Sequence, residues 1–488
     1  MLLDGGEEGV DRGRRRERAS AGDGERSGTG RKLLGKGSRL RFVHPVAEFR
    51  SPSPPLICLA LLAVSAGVRL ALALGTDVYF DEAYYWQWAQ HLDWGYYDHP
   101  PLVAWLIAGL GVRGTALLCG LGTVAGVWGF ARDVHGDSGA AWRAAALWST
   151  VPVGILAGVW ATPDSPLLLC WVLALWALYR ERWVLAGLAC GLALLSKYPG
   201  VLLAVAFVAA CVHARRLPAG AWLTALLGVL LFGPVVLWNA RHAWVGFAFQ
   251  LQHGLGGTGG WHTFGEFLAG QFALGGPVLF PFTLVYALRG RREQFLLRAA
   301  ALVPLLLFGY AAVRTRGEAN WPAAAYLSAC VGLAGMRHEW WRRLAFANLA
   351  VVLAVASHLL FPMLRFERDV LLSRTHGWTR LAELEGEDVA AVYTPSYQLA
   401  SEVAYQAGLP ADTAGEARRS QYDLWPRPPV APGRDALWVS EELEPPEALT
   451  ARFASVEGPR ELAADFRGRR VHTFTVWRLR GAKPPEAL

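Results

Sequence analysis

Between Thr76 and Val112 this sequence has no lysine and no arginine, although 47 such residues are spread over its 488 positions. The same stretch holds five acids: Asp77, Asp81, Glu82, Asp93 and Asp98. The six cysteines (Cys58, Cys119, Cys170, Cys190, Cys211 and Cys330) all lie in apolar stretches, none in a polar loop or the C-terminal region. That placement argues against a disulfide framework or a zinc site, and the thiols read as small buried apolar groups. No long-period repeat is present. The basic residues form short clusters and no groove-like patch, so the formal net charge of +7 is not the footprint of a nucleic-acid partner.

What the sequence does have is apolar length. It is 53% hydrophobic with 22 tryptophans, far from an ordinary soluble domain. Apolar stretches near 56–75, 113–131, 140–160, 165–179, 183–196, 199–213, 221–238, 264–287, 295–313, 320–336 and 344–363 approach the length that crosses a bilayer. They predict a polytopic α-helical membrane protein with about eleven spans. The long polar lead before residue 56 is wrong for a cleaved signal peptide.

Orientation follows from the basic clusters, which gather on the cytoplasmic side. Arg132, Arg180 and Arg182, Arg215 and Arg216, the 289–292 arginines and the 337–343 arginines then fall inside. The acid-rich 76–112 loop and the C-terminus fall outside. Lys197, Arg241, Arg314 and Arg316 are the exceptions, basic residues placed on the outer face.

Three regions result. Residues 1–54, rich in Gly, Arg, Glu and Ser, read as a disordered basic cytoplasmic tail. Residues 55–364 are the transmembrane domain. Residues 365–488 have shorter apolar runs and more proline and charge. In them Val389–Thr394, Ala436–Ser440 and Arg470–Trp477 read as strands and Ser396–Gly408 as a helix, giving a small α/β domain. Pro426–Pro432 reads as a loop within it.

The chemistry concentrates in the first outer loop. Asp81 and Glu82 stand beside Tyr84, Tyr85, Trp86 and Trp88 at the mouth of a span. An interfacial helix needs such aromatics but not the acids, and a carboxylate against apolar surface has its pKa raised into the range of a general base. In Asp98-His99-Pro100-Pro101 the prolines hold the chain extended before the next apolar run. Asp98 is a candidate for orienting an acceptor, or for holding a divalent cation with His99 or a distant histidine such as His253. No recognised metal-ligand spacing supports the second role. Asp164, in a short outward turn, is either a wall of the same cavity or a helix cap. Arg69, within the first span, reads as the partner of Asp77 or Asp81, the alternative being a reach to a donor phosphate. His242, His253 and His262 lie in a glycine-rich 239–263 loop long enough to be a lid.

The runs Phe80-Asp81-Glu82-Ala83-Tyr84-Tyr85-Trp86 and Gly95-Tyr96-Tyr97-Asp98-His99-Pro100-Pro101-Leu102 resemble the first outer loop of GT-C fold membrane glycosyltransferases. The resemblance is to the bacterial branch of the protein O-mannosyltransferase family, which includes the aminoarabinose transferases acting on lipid A. Thr162-Pro163-Asp164-Ser165-Pro166-Leu167, Ser196-Lys197-Tyr198, Trp238-Asn239 and Asn320-Trp321-Pro322 also match, as do Arg374, Gly377, Trp378 and Tyr397–Glu402. The likeness covers roughly residues 55–425.

The resemblance implies an inverting transferase that takes a sugar from a polyprenyl-phosphate donor at the outer face of the bacterial plasma membrane. The acceptor would be an envelope lipid, glycan or protein. Asp81 would be the catalytic base, Glu82 its support, and Asp98 an ordering acid. Tyr84, Tyr85, His99, Asp164, Lys197, Arg241 and Arg314 are the candidate substrate-binding residues. His99 stands where aminoarabinose transferases carry a basic residue, which argues against the same lipid A substrate. A lipid phosphate is a good leaving group, so the chemistry asks for a base on one side and cations on the phosphate. The outward Lys197, Arg241, Arg314 and Arg316 are the clamp candidates, against simple snorkelling or pairing with acids.

The rival from another class is a lipid or glycolipid transporter. Paired broken helices and repeated halves would mark it, and the sequence shows neither. A retired scaffold would have lost one of the three loop acids, and all three are present.

Overall fold

In a computed structural model the described residues are 55–484, apart from positions 337, 416, 417 and 428. The expected 1–54 tail lies outside them. Five helices are long and apolar enough to cross a membrane: Leu56–Gly75 (α1), Val112–His135, Gly220–Arg241, Arg292–Arg314 and Glu339–Leu360. A sixth span is the pair Trp261–Leu274 and Leu279–Arg289, bent by 101° at its break. Shorter apolar helices run over Asp164–Tyr179, Trp183–Ser196, Tyr198–Ala214 and Ala323–Leu333.

The expected stretches therefore reappear as helices, but about eleven full-length spans is more than length and apolarity support among the described residues. Proline and glycine account for part of the difference. The 140–160 stretch is cut into Ser138–Thr150 and Pro152–Leu156 by a proline that starts a new helix. The 264–287 stretch breaks at Gly275–Val278, where Gly276 has φ +96 and packs against Asn348.

Small residues let the core helices approach closely. On Ser138–Thr150, Ala140, Ala141, Ala144, Ala145 and Ala146 are all buried. Gly120 meets Gly158 so tightly that a Cβ would stand 2.8 Å from the partner Cα.

The acid-rich loop is itself helical. Phe80–Gln90 (α2) and Leu102–Leu110 (α3) flank an irregular turn. Asp81 and Glu82 occupy the first turn of α2, where carboxylates face the positive end of the helix dipole. Glu82 also caps it, accepting a hydrogen bond from the Tyr79 amide at 2.9 Å. Gly95 faces the Trp238 ring, which a Cβ would strike at 2.7 Å, and Trp238 Nε1 donates to Asp93 at 2.7 Å. The Trp238-Asn239 pair thus moors the loop. Asn239 Oδ1 in turn accepts the amides of Gly246 and Phe247, starting a helix over Val245–Leu255 inside the 239–263 loop.

The C-terminal region contains a five-stranded sheet: β1 (Ala391–Thr394), β2 (Ala411–Thr413), β3 (Ala436–Ser440), β4 (Phe453–Phe466) and β5 (Arg469–Ala482), in the order β2-β1-β3-β5-β4. β1 runs parallel to β2 and β3, and β5 is antiparallel to β3 and β4. The helix Tyr397–Ala407 connects β1 to β2.

Candidate functional site

A cavity of about 920 Å³ opens between the first loop, the membrane helices and the C-terminal region. The wall it takes from the membrane helices, its inner wall, includes the apolar Leu156, Leu307, Phe308, Ala311 and Leu359, and charged and aromatic groups line much of the remainder. Of the sequence-expected residues, Asp81, Tyr84, Tyr85, Asp98, His99, Asp164, Lys197 and His253 line it. Glu82, Arg241 and Arg314 are not among the lining residues.

The acids differ in what already holds them. Glu82 is fully buried and saturated: Arg113 Nη1 and the Tyr79 amide reach one oxygen at 2.9 Å, and the Ala161 amide the other at 2.7 Å. Arg113 also donates to the carbonyls of Asp77 and Val159, so this pair knots the loop to the membrane domain. Burial raises the Glu82 pKa, opposed by Arg113 and the two amides.

Asp98 accepts the Tyr84 hydroxyl at 2.8 Å and forms an ion pair with Arg418. Burial raises it too, with Arg418 and Tyr84 opposing. Asp164 is held by Lys197 Nζ at 3.0 and 2.9 Å and by Asn320 at 2.6 Å. Asp81 is different. Among the described residues its carboxylate has no hydrogen bond and no ion pair, while it faces the cavity. Burial pushes it up to about 7; Arg418 and Arg374 pull down, and Asp98 and Glu318 add to the rise.

The neighbours stay neutral where neutrality is useful. Burial holds the Tyr84 and Tyr85 hydroxyls well above their ordinary value. Burial, with the charges of Lys197 and Arg418, holds His99 well below its own. His253 is lowered chiefly by burial as well.

The cation expectations divide. Only Lys197 of the four reaches the cavity, and Asp164 already occupies it. Arg241 and Arg314 are exposed at helix ends, and Arg316 pairs with Glu266 at 3.0 Å. Arg69 is not paired with Asp77 or Asp81. It donates to the carbonyls of Ser65 and Gly154 within its own layer of helices. The metal pair of Asp98 and His253 does line one cavity, but Arg418 and Tyr84 take the Asp98 oxygens. No cluster of three or more His, Cys, Asp or Glu exists among the described residues, so this donor set does not fit a cation.

Sequence reasoning missed Arg418 and Glu318, and quoted Arg374 and Tyr397 only as motif residues. Arg374 lines the cavity over the Phe80 ring at 5.3 Å, with no carboxylate partner among the described residues. The C-terminal region is stitched to the first loop through this wall. Gln421 accepts the Tyr97 amide at 2.8 Å and donates its own amide to Tyr84 Oη at 2.7 Å. Asp77 accepts the Trp378 amide at 3.0 Å.

Residues 98–238 match the family model described as dolichyl-phosphate-mannose-protein mannosyltransferase. The chain is 26% identical over 422 residues to the lipid A galacturonosyltransferase RgtD of Rhizobium johnstonii, covering 77% of this chain and 85% of that protein. Its fold is similar to crystal structures of ArnT from Cupriavidus metallidurans, one apo and one bound to undecaprenyl phosphate. For each the TM-score is 0.58 at 14% identity, covering 86% of this chain and 97% of the other.

Proposed function

We propose, from the premise that this chain is a multi-pass GT-C fold glycosyltransferase of the aminoarabinose transferase-like family, that it moves a sugar from a polyprenyl-phosphate donor to an envelope acceptor with inversion. Asp81 is the base. Its carboxylate takes the proton of the acceptor hydroxyl as that oxygen attacks the anomeric carbon. The bond from that carbon to the phosphate oxygen breaks on the opposite face, and polyprenyl phosphate departs with the electron pair. Arg374 is the cavity cation available to the phosphate, and Lys197 reaches it only by sharing itself with Asp164. Tyr84 and Asp98 order the first loop, and Glu82 holds its helix in place.

The observation that carries this reading is the contrast among the four named acids. Of these four, Glu82, Asp98 and Asp164 have their oxygens engaged and Asp81 alone accepts no hydrogen bond among the described residues; Glu318, the other open carboxylate of the lining, lies outside the first loop. A base must keep a lone pair open for the incoming proton. The apolar inner wall suits an isoprenoid chain, and the undecaprenyl phosphate of the ArnT structure supports that class of donor.

The site faces the outside of the plasma membrane in this proposal, with the N-terminus cytoplasmic and the C-terminal domain outside. About eleven membrane crossings belong to the same proposal, with the shorter apolar helices counted as spans. The galacturonosyltransferase relative makes lipid A the first acceptor to assay. The test is transfer from a synthetic polyprenyl-phosphate sugar by purified protein. Efficient use of a nucleotide sugar instead would sink the donor assignment.

A further inference from the structure

The C-terminal region does more than cover the cavity. Arg418 projects from it into the lining, between three other elements. Its guanidinium pairs with Asp98 of the first loop and donates to Tyr397 Oη at 2.6 Å. It lies over the Tyr397 ring at 4.8 Å and over Phe249 of the Val245–Leu255 helix at 5.1 Å. From that helix Gln250 Nε2 also reaches the Asp98 carbonyl, at 2.6 Å. An arginine held through two nitrogens by two different partners and stacked on two rings is rotationally fixed in a way that a lysine is not.

We propose that Arg418 is a positioning residue of the reaction, a fixed cation lent by the C-terminal region that orients Asp98 and sets the charge felt at Asp81. The proposal rests on the reading of Asp81 as base. Asp81 shares the cavity with charged and titratable groups from several of the elements that line it. Its own segment brings Tyr79 and Tyr85, and the rest of the first loop Asp98 and His99. The C-terminal wall brings Arg374, Tyr397 and Arg418, and the membrane helices and their loops Asp164, Lys197, His253 and Glu318. Of the charges that act on Asp81, Arg418 is the leading one that favours its ionised form, followed by Arg374. Without Arg418 the carboxylate keeps its proton to higher pH, and less base is present at any pH below that point.

The experiment uses full-length protein in detergent, as wild type, Arg418→Gln and Arg418→Lys. Two readouts are taken: the pH–rate profile, and the infrared carbonyl band of protonated Asp81, identified by its loss in Asp81→Asn. In Arg418→Gln both the acid limb and the band midpoint should move up by about one pH unit, roughly tenfold less activity below the limb. Arg418→Lys should bring both only part of the way back, because the charge returns without the fixed, stacked geometry. If the band midpoint does not move in Arg418→Gln, this inference is overturned whatever the activity, and the assignment of Asp81 stands on its own test. If the band moves and the rate profile does not, Asp81 protonation does not govern transfer, and both readings fall.

Discussion

The two walls of the cavity are built in contrasting ways. The first-loop wall is local: Asp81, Tyr84, Tyr85, Asp98 and His99 lie within twenty residues, and α2 alone presents three of the five. The C-terminal wall is assembled from afar, with Arg374, Tyr397 and Arg418 brought some three hundred residues back against the loop. One wall supplies the acids and the other supplies cations. Within the first wall the adjacent pair splits again, Glu82 turned inward to Arg113 and Asp81 turned to open space. Adjacent identical charges on a helix point about 100° apart, so the backbone alone assigns them different work.

The sharpest way to break this contrast is at Asp81. Asp81→Asn should cut transfer by roughly 10²–10⁴-fold, the range of a lost general base, with assembly unchanged by size-exclusion chromatography. The raised pKa gives a second sign. A carboxyl held protonated by the fold is an ordinary acid in the unfolded chain, so stability falls as pH rises from about 4 towards 7. Asp81→Asn should therefore melt no lower than wild type at pH 8, with any advantage shrinking towards pH 4. A lower melting temperature at pH 8 would make Asp81 structural.

Glu82→Gln should instead damage the fold. It breaks a buried pair and strands Arg113, a loss on the order of 3–5 kcal/mol, read as a fall in melting temperature. Equal damage to melting from both substitutions would erase the distinction between neighbours. For wild type, the rate should rise as pH increases through about 7, where Asp81 ionises. A profile flat from pH 5.5 to 8.5 would contradict the base. The smallest effect is expected at Arg241→Gln and Arg314→Gln, exposed and away from the lining. Each should change kcat/KM by less than about twofold, and a tenfold loss would return them to the donor site.

What was legible in the sequence follows the same division. α1 and the Trp183–Ser196 helix have the expected bounds because unbroken apolar length is a local signal. β3 falls on Ala436–Ser440 as expected, an apolar, fully buried strand. β4 was missed because it is an edge strand, mostly exposed, charged, and interrupted by Gly458-Pro459. The acids were visible as a cluster without basic residues. Their partners were not: Arg418 sits in no periodic pattern, and nothing local predicts that it meets Asp98. The topology rule singled out Lys197, Arg241, Arg314 and Arg316 as exceptions, but an exposed helix-end arginine and a cavity lysine look alike in sequence.

The greasy inner wall of the cavity, from Leu156 to Leu359, has one further consequence. A substrate whose tail stays among acyl chains while its head reacts meets the enzyme in two dimensions. The relevant concentration is then its mole fraction in the bilayer or micelle. Diluting the donor with inert detergent at fixed bulk amount should slow turnover, as water-soluble substrates never would.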